Sequence, residues 1–309
     1  MFKGDKLCEI YRCRNPQRQE MEMKLITIDL DGTLLDEDST ISEENIKAIH
    51  QAQNAGHITA VFTGRSVGDV QEILRRANLD CPISAGNGGK MYNGEKLIEE
   101  LPLSTDIVRE VVQILEKKQI YYELFSEDGL LIDRNKTEFL YEEIGQYYGE
   151  EEKSAAWTTN IIETQMQQYG IIPISDFPSI DLSHQSVYKI MVLCFDLEKL
   201  AHLRKELSKK VAVSLTTSGN EKLEISHADA SKGNSLKMMA DYFNVPLENT
   251  VAIGDSMNDY PMFQEAAIGI AMANAREQVK EISTYMTKSN IDNGVAYAIE
   301  NYILADNKT

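Results

Sequence analysis

The stretch KLITIDLDGTLLDEDST, residues 24–40, decides the fold. Its first six residues form a short β-like run that stops at Asp29. The next residues, Leu30-Asp31-Gly32-Thr33, are small, acidic or turn-forming. In open parallel sheets, ligands bind beyond the carboxyl ends of the strands. A strand that ends abruptly in two aspartates therefore marks one side of a candidate site.

Working outward, residues 42–55 carry Ile46, Ile49 and Ala52 on one helical side, with Gly56 where a helix stop belongs. A second β run, 58–62, ends in Thr63-Gly64-Arg65. A further helix places Val67, Val70, Leu74 and Ala77 at helical spacing. A third short run, 82–84, leads into Ala-Gly-Asn-Gly-Gly at 85–89. Strands alternating with crossover helices imply an α/β fold with a parallel sheet.

The rhythm changes between 88 and 222. Short strands come in closer pairs, 90–92 with 97–99 and 120–125 with 130–133. They are joined by a helix over 106–117, a long β run over 187–195, a helix with Leu200, Leu203 and Leu207, and β runs at 211–215 and 222–225. Alternation resumes after Ser231, with a helix face of Leu236, Met239, Ala240 and Phe243, a strand at 250–253 ending in Gly254-Asp255, and a last helix through Val295, Ala298, Ile299 and Tyr302. The expected architecture is a Rossmann-like parallel-sheet core from 23–87 and 223–309, with an α+β domain inserted over 88–222. Residues 1–22 read as a polar N-terminal extension without the apolar segment of a leader peptide.

A net charge of -18 argues against sequence-independent nucleic-acid binding, which depends on basic side chains neutralising phosphates. No apolar stretch approaches the ~20 residues that span a bilayer, so no membrane partner is expected. The four cysteines, Cys8, Cys13, Cys81 and Cys194, have no paired spacing. They suit reduced thiols in a cytoplasmic chain. His184 and Trp157, in the inserted region, and His227 are expected to be packing or surface residues.

Three core strands end alike, in Asp29-Leu-Asp-Gly-Thr, Thr63-Gly-Arg and Gly254-Asp-Ser-Met-Asn-Asp. Convergence of these loops would gather Asp29, Asp31, Asp255 and Asp259. Close carboxylates repel by about 4 kcal/mol per pair at an effective dielectric near 20, so the cluster needs a cation. Oxygen-only ligands point to Mg²⁺. Ser231-Lys232-Gly233 offers a lysine at a helix start. An anionic substrate would find its positive charge locally, since the overall field repels it.

These motifs, DLDGTLLD at 29–36, TGR at 63–65, SKG at 231–233 and GDSMND at 254–259, resemble the four motifs of the haloacid dehalogenase superfamily, in the order of its Cof-type sugar-phosphatase branch. The resemblance runs from about 24 to 303. It implies Mg²⁺-dependent hydrolysis of a small phosphorylated metabolite, a sugar phosphate or a phosphorylated cofactor, by a monomer or homodimer. Asp29 would be the nucleophile that forms an aspartyl phosphate, and Asp31 the general acid and then base. Thr63 and the N–H groups of Leu30, Gly32 and Gly64 would hold phosphoryl oxygens, with Lys232 neutralising them and Asn258 beside them. Asp29, the carbonyl of Asp31, and Asp255 would bind the metal, supported by Asp259. The inserted segment would be a class IIB cap, with Asn87 and Gly88 at its hinge and Arg65 facing it. Phe62, Gly89 and the His227-Ala-Asp-Ala turn depart from the usual pattern, all outside the catalytic positions. A phosphotransferase or mutase of the same superfamily, and a non-catalytic sensor of a phosphometabolite, are the rival readings.

Overall fold

The computed structural model describes residues 22–147, 152–175, 177, 180–181, 185–209 and 213–305. The N-terminal extension, apart from residue 22, and His184 lie outside the described residues.

Leu25–Asp29 is β1, buried at every position. It takes the centre of a sheet with β2 (Ile58–Phe62), β3 (Ile83–Ala85), β4 (Lys90–Asn93) and β5 (Lys96–Glu100) on one side. A second sheet contains β6 (Tyr121–Ser126), β7 (Leu130–Ile132), β8 (Ile171–Pro173), β9 (Val187–Leu193), β10 (Val213–Thr216) and β11 (Lys222–His227). The chain then returns to the first sheet as β12 (Thr250–Gly254), β13 (Ile268–Ala271) and β14 (Tyr285–Met286), giving the order β14-β13-β12-β1-β2-β3-β4-β5.

Register explains why the three loops meet. Asp29 pairs with Phe62 in parallel β2, and Ile28 pairs with Ile253 in parallel β12. Side by side, the strands end at one level, so Thr63, Asp29 and Asp255 emerge together. The helices between them cover both faces with Ala48, Ile49, Val70, Leu74, Leu236 and Met239, all buried. Ser42, Ser66 and Ser231 each cap a helix by accepting from the backbone N–H three residues on. The Ser231 cap fixes where the helix Lys232–Phe243 begins, and with it Lys232.

The second sheet is antiparallel except for β7 with β8, in the order β10-β11-β9-β6-β7-β8. One face, with Tyr122, Leu124, Ile190 and Val192, packs on the helices Thr105–Lys118 and Leu197–Leu207. Alternation along a strand puts Glu123, Phe125, Lys189, Met191 and Glu224 on the opposite face. Phe125, Lys189, Met191 and Glu224 line a cavity together with Asp29 and Asp31 from the first sheet.

Sheet membership differs from the expected boundaries at both ends of the insertion. Strands β4 and β5, placed with the cap by the division at 88, extend the first sheet as an antiparallel hairpin on β3. Strand β11, mostly assigned to the core by the division at 223, lies between β10 and β9 in the second sheet. The tight turn at 86–89 folds β4 straight back along β3, so the chain leaves the first sheet only after Glu100.

Candidate active site

Asp29 ends β1 with only 4% of its surface exposed. Lys232 Nζ lies 2.5 Å from Asp29 Oδ1 and 2.5 Å from Asp259 Oδ1, and its side chain is wholly buried. Burial works against the ammonium, but Asp259 and Asp29 outweigh it and raise the Lys232 pKa. Burial also raises the Asp29 carboxyl well above its ordinary value, and Asp259 adds to this while Lys232 opposes it.

The turn after Asp29 is shaped by Gly32, at φ +78°. A Cβ there would come within 2.7 Å of Asp255 Oδ2, so glycine is required both by conformation and by the approach of the Asp255 carboxylate. Thr33 Oγ1 donates to Asp255 Oδ1 at 2.9 Å, and Asn274 Nδ2 donates to the Gly32 carbonyl at 2.8 Å. Asp259 turns back on its own loop, where Oδ2 accepts the N–H groups of Asp255 and Ser256, both at 2.9 Å. Both Asp259 oxygens are thereby engaged, which makes it a brace for Lys232 and the loop.

Carboxylate oxygens of Asp29, Asp255 and Asp259 lie within 4.8 Å of one another. Burial, with Asp259 beside it, pushes Asp255 up to about 7. A set of hard oxygen donors with too much negative charge for one lysine fits a divalent cation that prefers oxygen, and does not suit a thiolate- or imidazole-seeking metal.

Asp31 stands at the mouth, its side chain 57% exposed. Arg65 holds it in a fork, with Nε 2.9 Å from Oδ2 and Nη2 2.6 Å from Oδ1, while Nη1 reaches the buried Asp69 at 2.7 Å. Partial desolvation tends to raise the Asp31 carboxyl, but the Arg65 guanidinium prevails and holds it below its ordinary value. Thr63 is buried, and its Oγ1 accepts the Arg65 N–H at 3.1 Å. Asn87, at φ +56°, donates from Nδ2 to Glu224 Oε2 at 2.6 Å and accepts at Oδ1 from Asn258 Nδ2 at 3.2 Å. Gly88, at φ +98°, lies against the Ser231 backbone.

Asp29, Asp31, Gly64, Arg65, Asp255 and Asn258 all line one cavity of about 200 Å³. Leu30 and Gly32 form the turn beneath it, while Thr63, Lys232 and Asp259 buttress it from behind. Sequence reasoning missed Lys189 and Glu224, which reach this cavity from the second sheet. Each carried a signal: Lys189 interrupts the apolar run VYKIMVL, and Glu224 alternates with the apolar residues of KLEISH.

A parallel sheet that gathers a buried aspartate, a lysine clamp and an acidic cation cradle at its strand ends, under a second sheet, defines a hydrolase core of the α/β class with a cap. The chain belongs to the haloacid dehalogenase-like hydrolase family, whose model matches residues 26–299. It is 38% identical over 282 residues to the 5-amino-6-(5-phospho-D-ribitylamino)uracil phosphatase YwtE of Bacillus subtilis, covering 90% of this chain and 97% of that protein. Phosphatase YwpJ of the same organism is 33% identical, over 91% of this chain and all of its own length. A solved haloacid dehalogenase-like hydrolase from B. subtilis superimposes with a TM-score of 0.81 at 33% identity, over 91% of this chain and 100% of its own.

Proposed function

We propose that this chain is a phosphatase that hydrolyses a small phosphomonoester through a phosphorylated Asp29. The observation that carries the reading is the Asp29–Lys232–Asp259 contact, which holds one carboxylate at a strand end, paired with a buried ammonium and facing a cavity that Arg65, Lys189 and Lys222 also line.

An Asp29 oxygen attacks phosphorus as the bond to the leaving oxygen breaks. Asp31, freed from the Arg65 fork, gives that oxygen a proton. Water then attacks the aspartyl phosphate with Asp31 taking its proton, which releases inorganic phosphate and restores Asp29. Lys232 neutralises the phosphoryl charge at the site, and the N–H groups after Asp29 and at Gly64 supply donors to its oxygens. Mg²⁺, held by Asp29, Asp255 and the Asp31 carbonyl, would supply charge neutralisation on the phosphoryl oxygens. The polar walls over the site, with Gln165, Gln168, Ser218 and Lys222, suit a hydroxyl-rich leaving group. The similarity to YwtE makes 5-amino-6-(5-phospho-D-ribitylamino)uracil the first substrate to try, alongside sugar phosphates and pyridoxal phosphate.

The test is release of inorganic phosphate from a panel of phosphorylated metabolites with Mg²⁺, by the wild type and by Asp29→Asn. Turnover by the wild type that vanishes in Asp29→Asn is the expected result. Silence across the panel, or equal turnover by the variant, refutes the reading.

A further inference from the structure

Lys189 and Glu224 form a wholly buried ion pair, 3.3 Å apart, on the face of the second sheet that looks onto the strand ends. A buried pair of this kind contributes little to stability compared with apolar side chains of the same volume. Its partners point to another role. Lys189 Nζ donates to the carbonyl of Gly64, across the seam between the two sheets. Glu224 Oε2 accepts from Asn87, whose backbone N–H in turn donates to the Thr63 carbonyl at 2.9 Å.

Both peptide groups around Gly64 are therefore gripped by their carbonyls. In a trans peptide the C=O and N–H point in opposite directions. Holding the Thr63 carbonyl turns the Gly64 N–H the other way. Holding the Gly64 carbonyl sets the Arg65 N–H, which donates to Thr63 Oγ1. A Cβ on Gly64 would stand 3.2 Å from Glu224 Oε1 and 3.3 Å from Asn87 Oδ1, so the loop has no side chain where the second sheet closes on it.

We infer that Lys189 and Glu224 are positioning residues for phosphoryl transfer: seated across the seam, Glu224 through Asn87 and Lys189 through the Gly64 carbonyl, they fix the two peptide groups that flank Gly64 and hold the Gly64 N–H toward the phosphoryl group, so the phosphate loop is complete only when the second sheet is in place. This rests on the phosphatase reading above and adds to it a dependence of the chemical step on two residues that need not touch the leaving group.

The experiment uses the full chain as Lys189→Met, Glu224→Gln and the double variant, with p-nitrophenyl phosphate as a substrate whose leaving group asks for no specific recognition. Orthovanadate and inorganic phosphate serve as competitive inhibitors. Loss of an aligned oxyanion donor lowers kcat by about 10²–10³, and partial misalignment is expected to lower it on the order of 10–100-fold. KM should stay within about threefold, vanadate inhibition should weaken in step with kcat, and phosphate inhibition should change little. The double variant should fall no further than the worse single one, because both break the same grip.

Glu224→Gln preserves shape and an acceptor for Asn87, so it carries the test should Lys189→Met fail to fold. A kcat within about twofold of wild type overturns the inference, as does a loss confined to KM. The wild type and Asp29→Asn, run alongside, separate the two levels. No turnover by the wild type removes the phosphatase reading itself, whereas wild-type turnover with unaffected Lys189 and Glu224 variants removes only the positioning role.

Discussion

Glu123→Gln should stabilise the second sheet at alkaline pH and do far less in acid. Glu123 is fully buried on β6, with Tyr121 Oη donating to Oε1 at 3.0 Å and no hydrogen-bond partner for Oε2 among the described residues. Burial raises its carboxyl from 4.5 to about 7, against the opposing pull of the Tyr121 hydroxyl, Lys189 and Lys222. Between those values the folded state holds a proton that the unfolded chain has released. Stability is thus unaffected below 4.5, falls as pH climbs, and is fully lowered above about 7. A tenfold difference in proton affinity between the folded and unfolded chain is worth about 1.4 kcal/mol, so the whole window is worth about 3 kcal/mol. Between about pH 5 and about pH 8.5 the wild type should lose roughly 2–3 kcal/mol relative to the variant. Any fixed cost of the buried amide is the same at both pH values and cancels in that difference. Trp157, the sole tryptophan, lies in the helix Glu152–Met166 and reports on this part of the molecule. Urea titrations of both proteins, followed by its fluorescence at the two pH values, give the number. A variant that is destabilised more at pH 8.5 than at pH 5 would show that Glu123 is ionised and held by Lys189 and Lys222, and the reasoning would fail.

Because Asp255 sits near 7 before a cation arrives, Mg²⁺ affinity should rise with pH, by about tenfold from pH 6 to pH 8; calorimetric titrations that give equal affinities at those two pH values contradict this. Arg65→Gln removes the charge that holds Asp31 low, so the alkaline limb of the kcat/KM profile, where Asp31 must still hold the proton it gives to the leaving oxygen, should move to higher pH, and an unmoved limb would remove Asp31 from that titration. Gly32→Ala meets both a positive φ and Asp255, and backbone strain of this kind is worth about 1–3 kcal/mol; the expected readout is at least a tenfold loss of Mg²⁺ affinity by calorimetry, and wild-type affinity would show that the turn relaxes freely.

Much of the catalytic sheet was legible because its signals are local. The run 24–29 is apolar up to a defined end, the helix 42–55 is periodic and capped, and each strand end carries residues with no place in a core. Parallel pairing then follows from the crossover helices. The limits of the insertion were not legible in the same way. Strands β4 and β5 alternate like any antiparallel pair, and nothing local in KMYN or KLIEE says which sheet they join. The turn at 86–89, through Asn87 and two glycines at positive φ, decides it. Lys189 and Glu224 were overlooked for a related reason: a charge inside a strand acquires meaning only from what faces it, and here that is a loop more than a hundred positions away in sequence.

The chain departs from the catalytic sheet once, after β5, and comes back once, through β11 into the helix Lys232–Phe243. Everything between is a single cassette spliced into a finished frame. On the phosphatase reading proposed above, grafting another family member's cassette between those two crossings would change what stands over the cavity while Asp29 and Asp31 stay where they are. The seam sets the rule for a successful graft, since an incoming piece must bring its own lysine and carboxylate to grip the loop at Gly64.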